Sequence, residues 1–579
     1  MTSSLSKIIL KLFGMDDDFN KLATMSESEF LDFVEKFYEK NCNSFTFPGL
    51  DLDKKQKLVT EIFTRIRPGS FNSNSINICL KTLKLLTRER EGLDAITGSS
   101  VLEPLQKLAG LECSKVDVGP IGLENVIEAE KCMSNLIYMS PCVQKFYSVS
   151  GVADAITQRI KETIKLHSDI QFYDMRILFL LTALNPDIRQ RVREKFHGLS
   201  YLFEIINQIM RNRETIASAD ANITLSNADI DYLIEILKTL FNLTVDLPNI
   251  THSYALQEEE EEAHLMRLVS ILRELLLCMG PNSEKQFELQ NHIINLLTNM
   301  PKTCFEELLT PVNNDENEDS DYEYEGKNME AINIVLQFLD YRITKYEESN
   351  GTQDALLPVL QLLIIMCQSN RNIRKFCRRH ILPPLREEIM YLPTEGQKLR
   401  NKLTRMMTNP NSELKTFSAK LLFVLCKENV DRLIKYTGYG NAAGWLYDFG
   451  LVGPSHNTNK DLYSSESEDS DTEIYKRLRD QINPVTGKHD SVKRDDPMAG
   501  WSDASKEAEA QRLAEIMQRV MDLGVIQPAT IGPDGKPVVI DNMQQFRELV
   551  ESSKKTELPP SESSDDELSE NEKASTTTK

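Results

Sequence analysis

The stretch "YLIEILKTLFNLTVDLP", residues 232–248, carries the fold in miniature. Leu233, Ile236, Leu237, Leu240 and Phe241 fall at i, i+3, i+4, i+7 and i+8, one apolar stripe along a helix. Pro248 stops that helix, because proline lacks the amide hydrogen the next turn needs. The same texture runs from about residue 25 to 430, with little β-branched alternation. The chain therefore reads as all-α.

The apolar helices also resemble one another. "LKLLTRER", "SNLIYMSP", "FLLTALNP", "FNLTVDLP", "INLLTNMP", "LIIMCQSN" and "FVLCKENV" each run from apolar residues into a polar or proline-bearing turn. Aligned on Lys84, Asn135, Leu180, Asn242, Asn295, Ile364 and Val424, they are spaced 51, 45, 62, 53, 69 and 60 residues apart. Armadillo and HEAT units take about 40–47 residues. The surplus is assigned to loops: "RETIASADANITLSNAD", the run Glu258–Glu262, and "NNDENEDSDYEYEGKN". The expected fold is an armadillo/HEAT-like helical-repeat superhelix over 1–430, whose recurring helices line a long concave face. A globular helical bundle is the alternative. Asn135, Asn242 and Asn295 recur at the anchor, where asparagine costs helix propensity. Their amides either hydrogen-bond a guest in the groove or satisfy neighbouring turns.

Past residue 430 the composition changes. Residues 431–505 form a Gly- and aromatic-rich segment and an acidic linker, and 529–579 an acidic tail expected to be disordered. Residues 451–579 hold 26 acidic against 16 basic residues, poor material for a packed core. Between them, 506–528 reads as an amphipathic helix, with Leu513, Ile516, Met517, Val520 and Met521 at helical spacing and Gly524 and Pro528 ending it. A lone apolar face of this kind needs a partner to bury against.

A net charge of −21 over 579 residues argues against a general grip on nucleic acid, which needs a positive surface to displace counterions. Ten scattered cysteines with no C-x-x-C pair suit reduced thiols rather than a disulfide framework. The N-terminal apolar run is broken by Lys7 and Lys11, and no stretch approaches a membrane span. The expected location is the cytoplasm, with membranes reached only through a partner. No catalytic constellation stands out. "GPDGKPV" fails the P-loop pattern, and "GYGNAAG" follows a helix rather than a strand and fails the dinucleotide pattern. A binding protein without cofactor or metal is the reading by elimination.

Three features suit binding. "RNIRKFCRRHILPPLR", Arg371–Arg386, contains no acidic residue, with Arg371, Lys375 and Arg378 on one helical face, Arg374 and Arg379 beside them, and Lys398 and Arg405 following. Guanidinium forks suit phosphate oxygens. In "YSSESEDSDTEIYKRL", Ser465 and Ser470 each have a glutamate at +3, the pattern an acid-directed kinase of the casein-kinase-two type reads. Phosphorylation adds about −1.5 to −2 charge per site and fits that basic strip. Lys84 and Arg88 stand i, i+4 and suit a guest's C-terminal carboxylate, or else pair with Glu89 and Glu91.

"LIKYTGYGNAAGWL" (433–446), "LRNKLTRMMT" (399–408), "LLFVLCKENV" (421–430), "MRILFLLTALNPDIRQ" (175–190) and the acidic Ser/Thr cluster before "EIYKRLRDQINPVTG" resemble the synembryn family to about residue 530. These are chaperones and guanine-nucleotide exchange factors for heterotrimeric G-protein alpha subunits. The resemblance implies a groove that takes the C-terminal helix of an alpha subunit, GDP-bound or nucleotide-free and without beta-gamma. It implies that Lys84 and Arg88 match two arginines meeting the subunit's C-terminus, and that Asn135 matches a groove asparagine. It implies activating phosphorylation at Ser465 and Ser470, client contact by the Leu513–Met521 helix, and recruitment to the cell cortex. Lys84 departs from arginine and loses the bidentate fork. Ser470 stands where threonine is common. The alternative is an armadillo-type peptide adaptor or scaffold without exchange activity.

Overall fold

A computed structural model describes residues 19–539 except 48–49, 67–70, 113–121, 162–166, 215–222, 246–254, 313–321, 350–354, 452–471, 491–497, 499, 523–528 and 532–536. The chain divides into two compact units. One comprises Met1–Pro383 with Asn409–Leu425, the other Pro384–Thr408 with Cys426–Lys579.

The first unit is built on a row of eight helices: α1 (Glu27–Asn41), α2 (Ser73–Leu86), α3 (Leu123–Met139), α4 (Ser168–Leu184), α5 (Asn227–Thr244), α6 (Ser283–Leu297), α7 (Leu357–Ser369) and α8 (Ser412–Leu425). Each packs on the next in chain order. The seven aligned segments lie on α2 to α8, one per helix, although Ala255–Leu277, Glu330–Ser349 and other helices intervene in sequence. Starts are set by capping side chains. Ser26 with Glu29 and Ser226 with Asp229 form capping boxes, and Asn72 and Asn282 cap α2 and α6.

Cross-contacts show that row neighbours run parallel. Asn125 of α3 reaches Ser73 at the start of α2, and Asn135 reaches Thr87 at its end. Arg176 and Thr182 of α4 pair in the same sense with Glu235 and Asn242 of α5. Parallel neighbours require each chain return to be covered by further helices, and these form the outer layer. Ser99–Leu108 packs on α3, Val152–Lys161 on α4, Gly198–Glu214 on α5 and Arg371–Ile381 on α7. Helix α5 is therefore covered on several sides. Ile230, Leu233, Ile234, Ile236, Leu237, Leu240 and Leu243 are all buried, where the sequence suggested a single stripe. Each such side chain contributes roughly 1.5–3 kcal/mol.

One polar cluster sits inside this packing. Arg159, from Val152–Lys161, donates to Asp174 Oδ2 of α4 at 3.0 Å, Glu130 Oε1 of α3 at 2.6 Å and the Ala109 carbonyl at 3.0 Å. All three charged side chains are at most 2% exposed.

Two loop assignments change. The run Glu258–Glu262 lies within the helix Ala255–Leu277, in keeping with glutamate's helix propensity. The stretch after Leu309 contributes a small antiparallel sheet, with Lys327–Asn328 between Thr310–Pro311 and Glu323–Tyr324.

The second unit contains the helices Leu399–Met406, Val430–Thr437, Tyr439–Asp448 and Glu473–Leu478, and the hairpin Ile482–Asn483/Lys488–His489. Gly438 explains part of the glycine-rich segment. Its φ is 76°, and a Cβ there would stand 2.8 Å from the Thr486 carbonyl carbon. That close approach lets Tyr439 and Gly440 donate to the carbonyls of Pro484 and Val485. The amphipathic helix spans Asp503–Asp522, starting three residues before the 506 expected, and 523–528 lie outside the described residues. Strands Ala529–Ile531 and Pro537–Val539 pair within the stretch expected to be disordered.

Candidate functional site

Lys84 is in the last turn of α2, and its Nζ meets Glu128 Oε2 of α3 at 2.5 Å. Lys131, one turn along α3, holds Oε1 of the same carboxylate at 2.8 Å. Burial acts to raise the Glu128 carboxyl, but the hydrogen bonds and charges of Lys131 and Lys84 outweigh it and hold it below its ordinary value. Two row steps on, the arrangement recurs. Arg176 of α4 meets Glu235 Oε1 of α5 at 3.1 Å, and Lys238 meets the same oxygen at 2.7 Å. In both clamps the carboxylate is beneath and the cations outside. The side chains of Glu128 and Glu235 are 8% and 4% exposed, against 22%, 28%, 45% and 21% for Lys84, Lys131, Arg176 and Lys238. Two cations per carboxylate leave each clamp net positive.

Aromatic rings support the cations. Lys131 lies 5.5 Å from the Tyr173 ring centroid and Lys238 4.5 Å from that of Phe179. Both distances suit cation–π attraction. Arg176 Nε also donates to Ser134 Oγ at 3.2 Å, which links α4 back to α3.

The sequence holds a signal for this pattern that the anchor alignment did not use. Glu128-x-x-Lys131-x-x-x-Asn135 and Glu235-x-x-Lys238-x-x-x-Asn242 share one spacing, and Glu288-x-x-Asn291-x-x-x-Asn295 repeats it on α6 without the lysine. At +3 and +7 these residues share a helical face.

Arg88 is corrected. Helix α2 ends at Leu86 with Thr87 as its cap, so Arg88 is in the following turn and does not extend the helical face of Lys84. Its Nη1 donates to the carbonyls of Cys42 at 2.7 Å and Ser44 at 3.1 Å. Glu89 is paired with Lys55, so Glu128 takes the place of the local acids as partner to Lys84.

The asparagines divide. Asn242 is buried and donates to the Phe179 carbonyl at 3.0 Å and Thr182 Oγ1 at 3.1 Å. Asn135 is half-buried and donates to Thr87 Oγ1 at 3.3 Å. Asn299, within the aligned segment but not an anchor, repeats the Asn242 pattern on Phe241 and Thr244. These amides stitch each helix to the one before it. Asn295 is half-buried, and its carbonyl accepts from Thr298 Oγ1 at 2.6 Å. Asn242→Ala is expected to cost about 1–3 kcal/mol, the penalty for buried groups left unpaired, in urea unfolding followed by circular dichroism. Asn135→Ala should cost less, because water can replace its one long bond.

Beyond the second clamp, His292 on α6 is shifted down to about 4, by burial first and then by the charges of Lys238 and Arg342. A cavity of about 530 Å³ opens between the starts of α4 and α5 and the helix Gly198–Glu214, lined by Phe172, Tyr173, Ile209, Asn212 and Tyr232 among others.

The basic segment is more engaged than expected. Arg374 is buried, and its Nη1 donates to the Cys367 carbonyl at 2.8 Å. It therefore anchors the helix Arg371–Ile381 to α7. Arg371 and Lys375 meet Glu325, in the turn of the small sheet, at 3.5 and 2.9 Å. Arg378 is half-buried and Arg379 exposed. In the second unit, Arg405 donates to the carbonyls of Thr394 and Gly396, while Lys398 is exposed with its ammonium 3.0 Å from Glu388. Ser465 and Ser470 lie outside the described residues. The strip ends at Thr472, whose hydroxyl caps Glu473–Leu478 and donates to the Leu385 carbonyl. On Asp503–Asp522, Leu513 and Ile516 are exposed at 52% and 46%, and Met517 and Val520 are partly covered.

Comparison with known proteins adds an independent line. Residues 79–536 match the family described as guanine nucleotide exchange factor synembryn. The chain is 33% identical over 518 residues to a protein of Gallus gallus named Chaperone Ric-8A, covering 88% of this chain and 93% of that one. It is 34% identical over 524 residues to the Xenopus tropicalis Chaperone Ric-8A, with the same coverage. It is 30% identical over 573 residues to Chaperone Ric-8 of Drosophila pseudoobscura pseudoobscura, covering 92% and 98%.

Proposed function

The chain belongs to the synembryn family of guanine nucleotide exchange factors and chaperones, and from that membership we propose that it binds nucleotide-free or nascent G-protein alpha subunits through their C-terminal helix. The helix lies across α2 to α5. The observation that carries this reading is the first clamp: two outward cations, Lys84 and Lys131, over a carboxylate they already outnumber. A free C-terminal carboxylate is the complementary charge, with Asn135 beside it.

Exchange then needs no catalytic side chain. A protein that holds the nucleotide-free alpha subunit more tightly than the nucleotide-bound one lowers nucleotide affinity by the same factor. GTP binding runs the linkage backwards and releases the client. The same preference for an open client serves folding. The apolar residues Leu513, Ile516, Met517 and Val520 supply a second contact.

Regulation follows from charge. A kinase of the casein-kinase-two type phosphorylates Ser465 and Ser470, and basic side chains receive the phosphates. The tie from Thr472 to the Leu385 carbonyl supports this, since it fixes the strip's end next to Arg386. The protein acts in the cytoplasm and is drawn to the cell cortex by its client.

The test is release of labelled GDP from a purified alpha subunit, with and without the full-length protein. Release should accelerate at least several-fold. No acceleration, together with no binding to a peptide of the subunit's C-terminus, overturns the reading.

A further inference from the structure

We infer that the second clamp, Arg176–Glu235–Lys238, receives an acidic side chain of the same guest helix, placed about 11–13 residues before the guest's C-terminal carboxylate. The inference rests on the proposed client reading and adds a sequence requirement to it.

The two clamps are chemically alike and in register. Each takes a cation from one row helix, Lys84 or Arg176, and a Glu-x-x-Lys pair from the next. Each hides its glutamate and presents its cations. An ammonium has three donors, and the described hydrogen bonds of Lys131 and Lys238 use one each. Both clamps thus keep donors for an outside carboxylate. If the first takes the guest's terminal carboxylate, the second is built to take another.

The spacing follows from the row. Clamp one bridges α2 and α3, and clamp two bridges α4 and α5. They are two packing steps apart, about 16–20 Å at 8–10 Å per step. An α-helix rising 1.5 Å per residue covers that in about 11–13 residues. An extended guest would cover it in about 5–6. The pattern stops there. On α6 the lysine position is Asn291, whose Oδ1 accepts from Arg342. The row therefore specifies two acidic points on the guest.

The test uses 18-residue peptides with the sequence of an alpha subunit's C-terminus, every acidic side chain changed to its amide and the terminal carboxylate kept. Glu is compared with Gln at each position from 4 to 16 residues before the end, by fluorescence anisotropy with the full-length protein. The advantage of Glu over Gln should peak at about 11–13 residues, reach roughly fivefold to tenfold, and shrink with added salt. Arg176→Gln with Lys238→Gln should flatten the peak. Glu235→Gln frees both cations and should raise it, a gain that misfolding cannot imitate. A flat scan, or a peak near 5–6, overturns the inference while leaving the client reading intact. Failure of every peptide to bind overturns both.

Discussion

Replacing Arg159 with methionine should destabilise the first unit by about 3–5 kcal/mol, the cost of breaking a buried ion cluster by removing one partner. Arg159 bridges Glu130 and Asp174 with its positive charge, and it also holds the Ala109 carbonyl. Methionine fills much of its volume but leaves two buried carboxyls facing each other. Urea unfolding followed by circular dichroism should show the loss, and a change below about 1 kcal/mol would count against it. Replacing the whole cluster, Arg159→Met with Glu130→Leu and Asp174→Leu, should recover most of the stability, because an apolar core of similar volume removes the desolvation cost.

The same cluster sets a pH dependence. Burial, then the charge of Asp174, pushes Glu130 well above its ordinary 4.5, with Arg159 opposing. Burial likewise raises Asp174 above 3.8. A carboxyl raised on folding keeps its proton where the unfolded chain has lost it. Its contribution is complete below the ordinary value and is lost as pH rises through the folded one. Stability should therefore decline as pH rises above about 4.5, and Glu130→Gln should flatten that slope.

These effects mark where the sequence was legible. The row of helices could be read, because a buried helix in a stack repeats its apolar residues whatever its loops do. Seven anchors spaced from 45 to 69 residues fell on α2 to α8, the successive members of the row, with other helices between them in sequence. Partners could not be read, because side chains pair across space. Lys84 has Glu89 and Glu91 nearby in sequence and pairs with Glu128. Arg371 and Lys375 stand in a stretch free of acids and meet Glu325, brought by a turn about fifty residues away. Arg374 shares their composition but faces inward, and composition alone does not separate it from its neighbours. The clamps fall between these cases. Their Glu-x-x-Lys-x-x-x-Asn spacing is visible on α3 and α5, but its meaning depends on Lys84 and Arg176 arriving from the adjacent helices.

Lys84→Glu is expected to weaken client binding, and with it GDP release, by about a hundredfold. The substitution turns a clamp of two cations and one carboxylate into one cation and two carboxylates. A guest carboxylate then meets a net charge of −1 instead of +1. A swing of about 2–3 kcal/mol is in the range for close interfacial charge pairs, and 2.7 kcal/mol is a factor of about a hundred. Loss of folding is separated from loss of charge by the double variant Lys84→Glu with Glu128→Lys. It exchanges the partners, restores two cations to one carboxylate, and should recover most of the binding. A C-terminal peptide offered as free acid and as amide gives the second readout. Wild type and the double variant should prefer the acid, and Lys84→Glu should not. Unchanged affinity in Lys84→Glu, or an acid preference that survives it, places the guest's carboxylate elsewhere on the row.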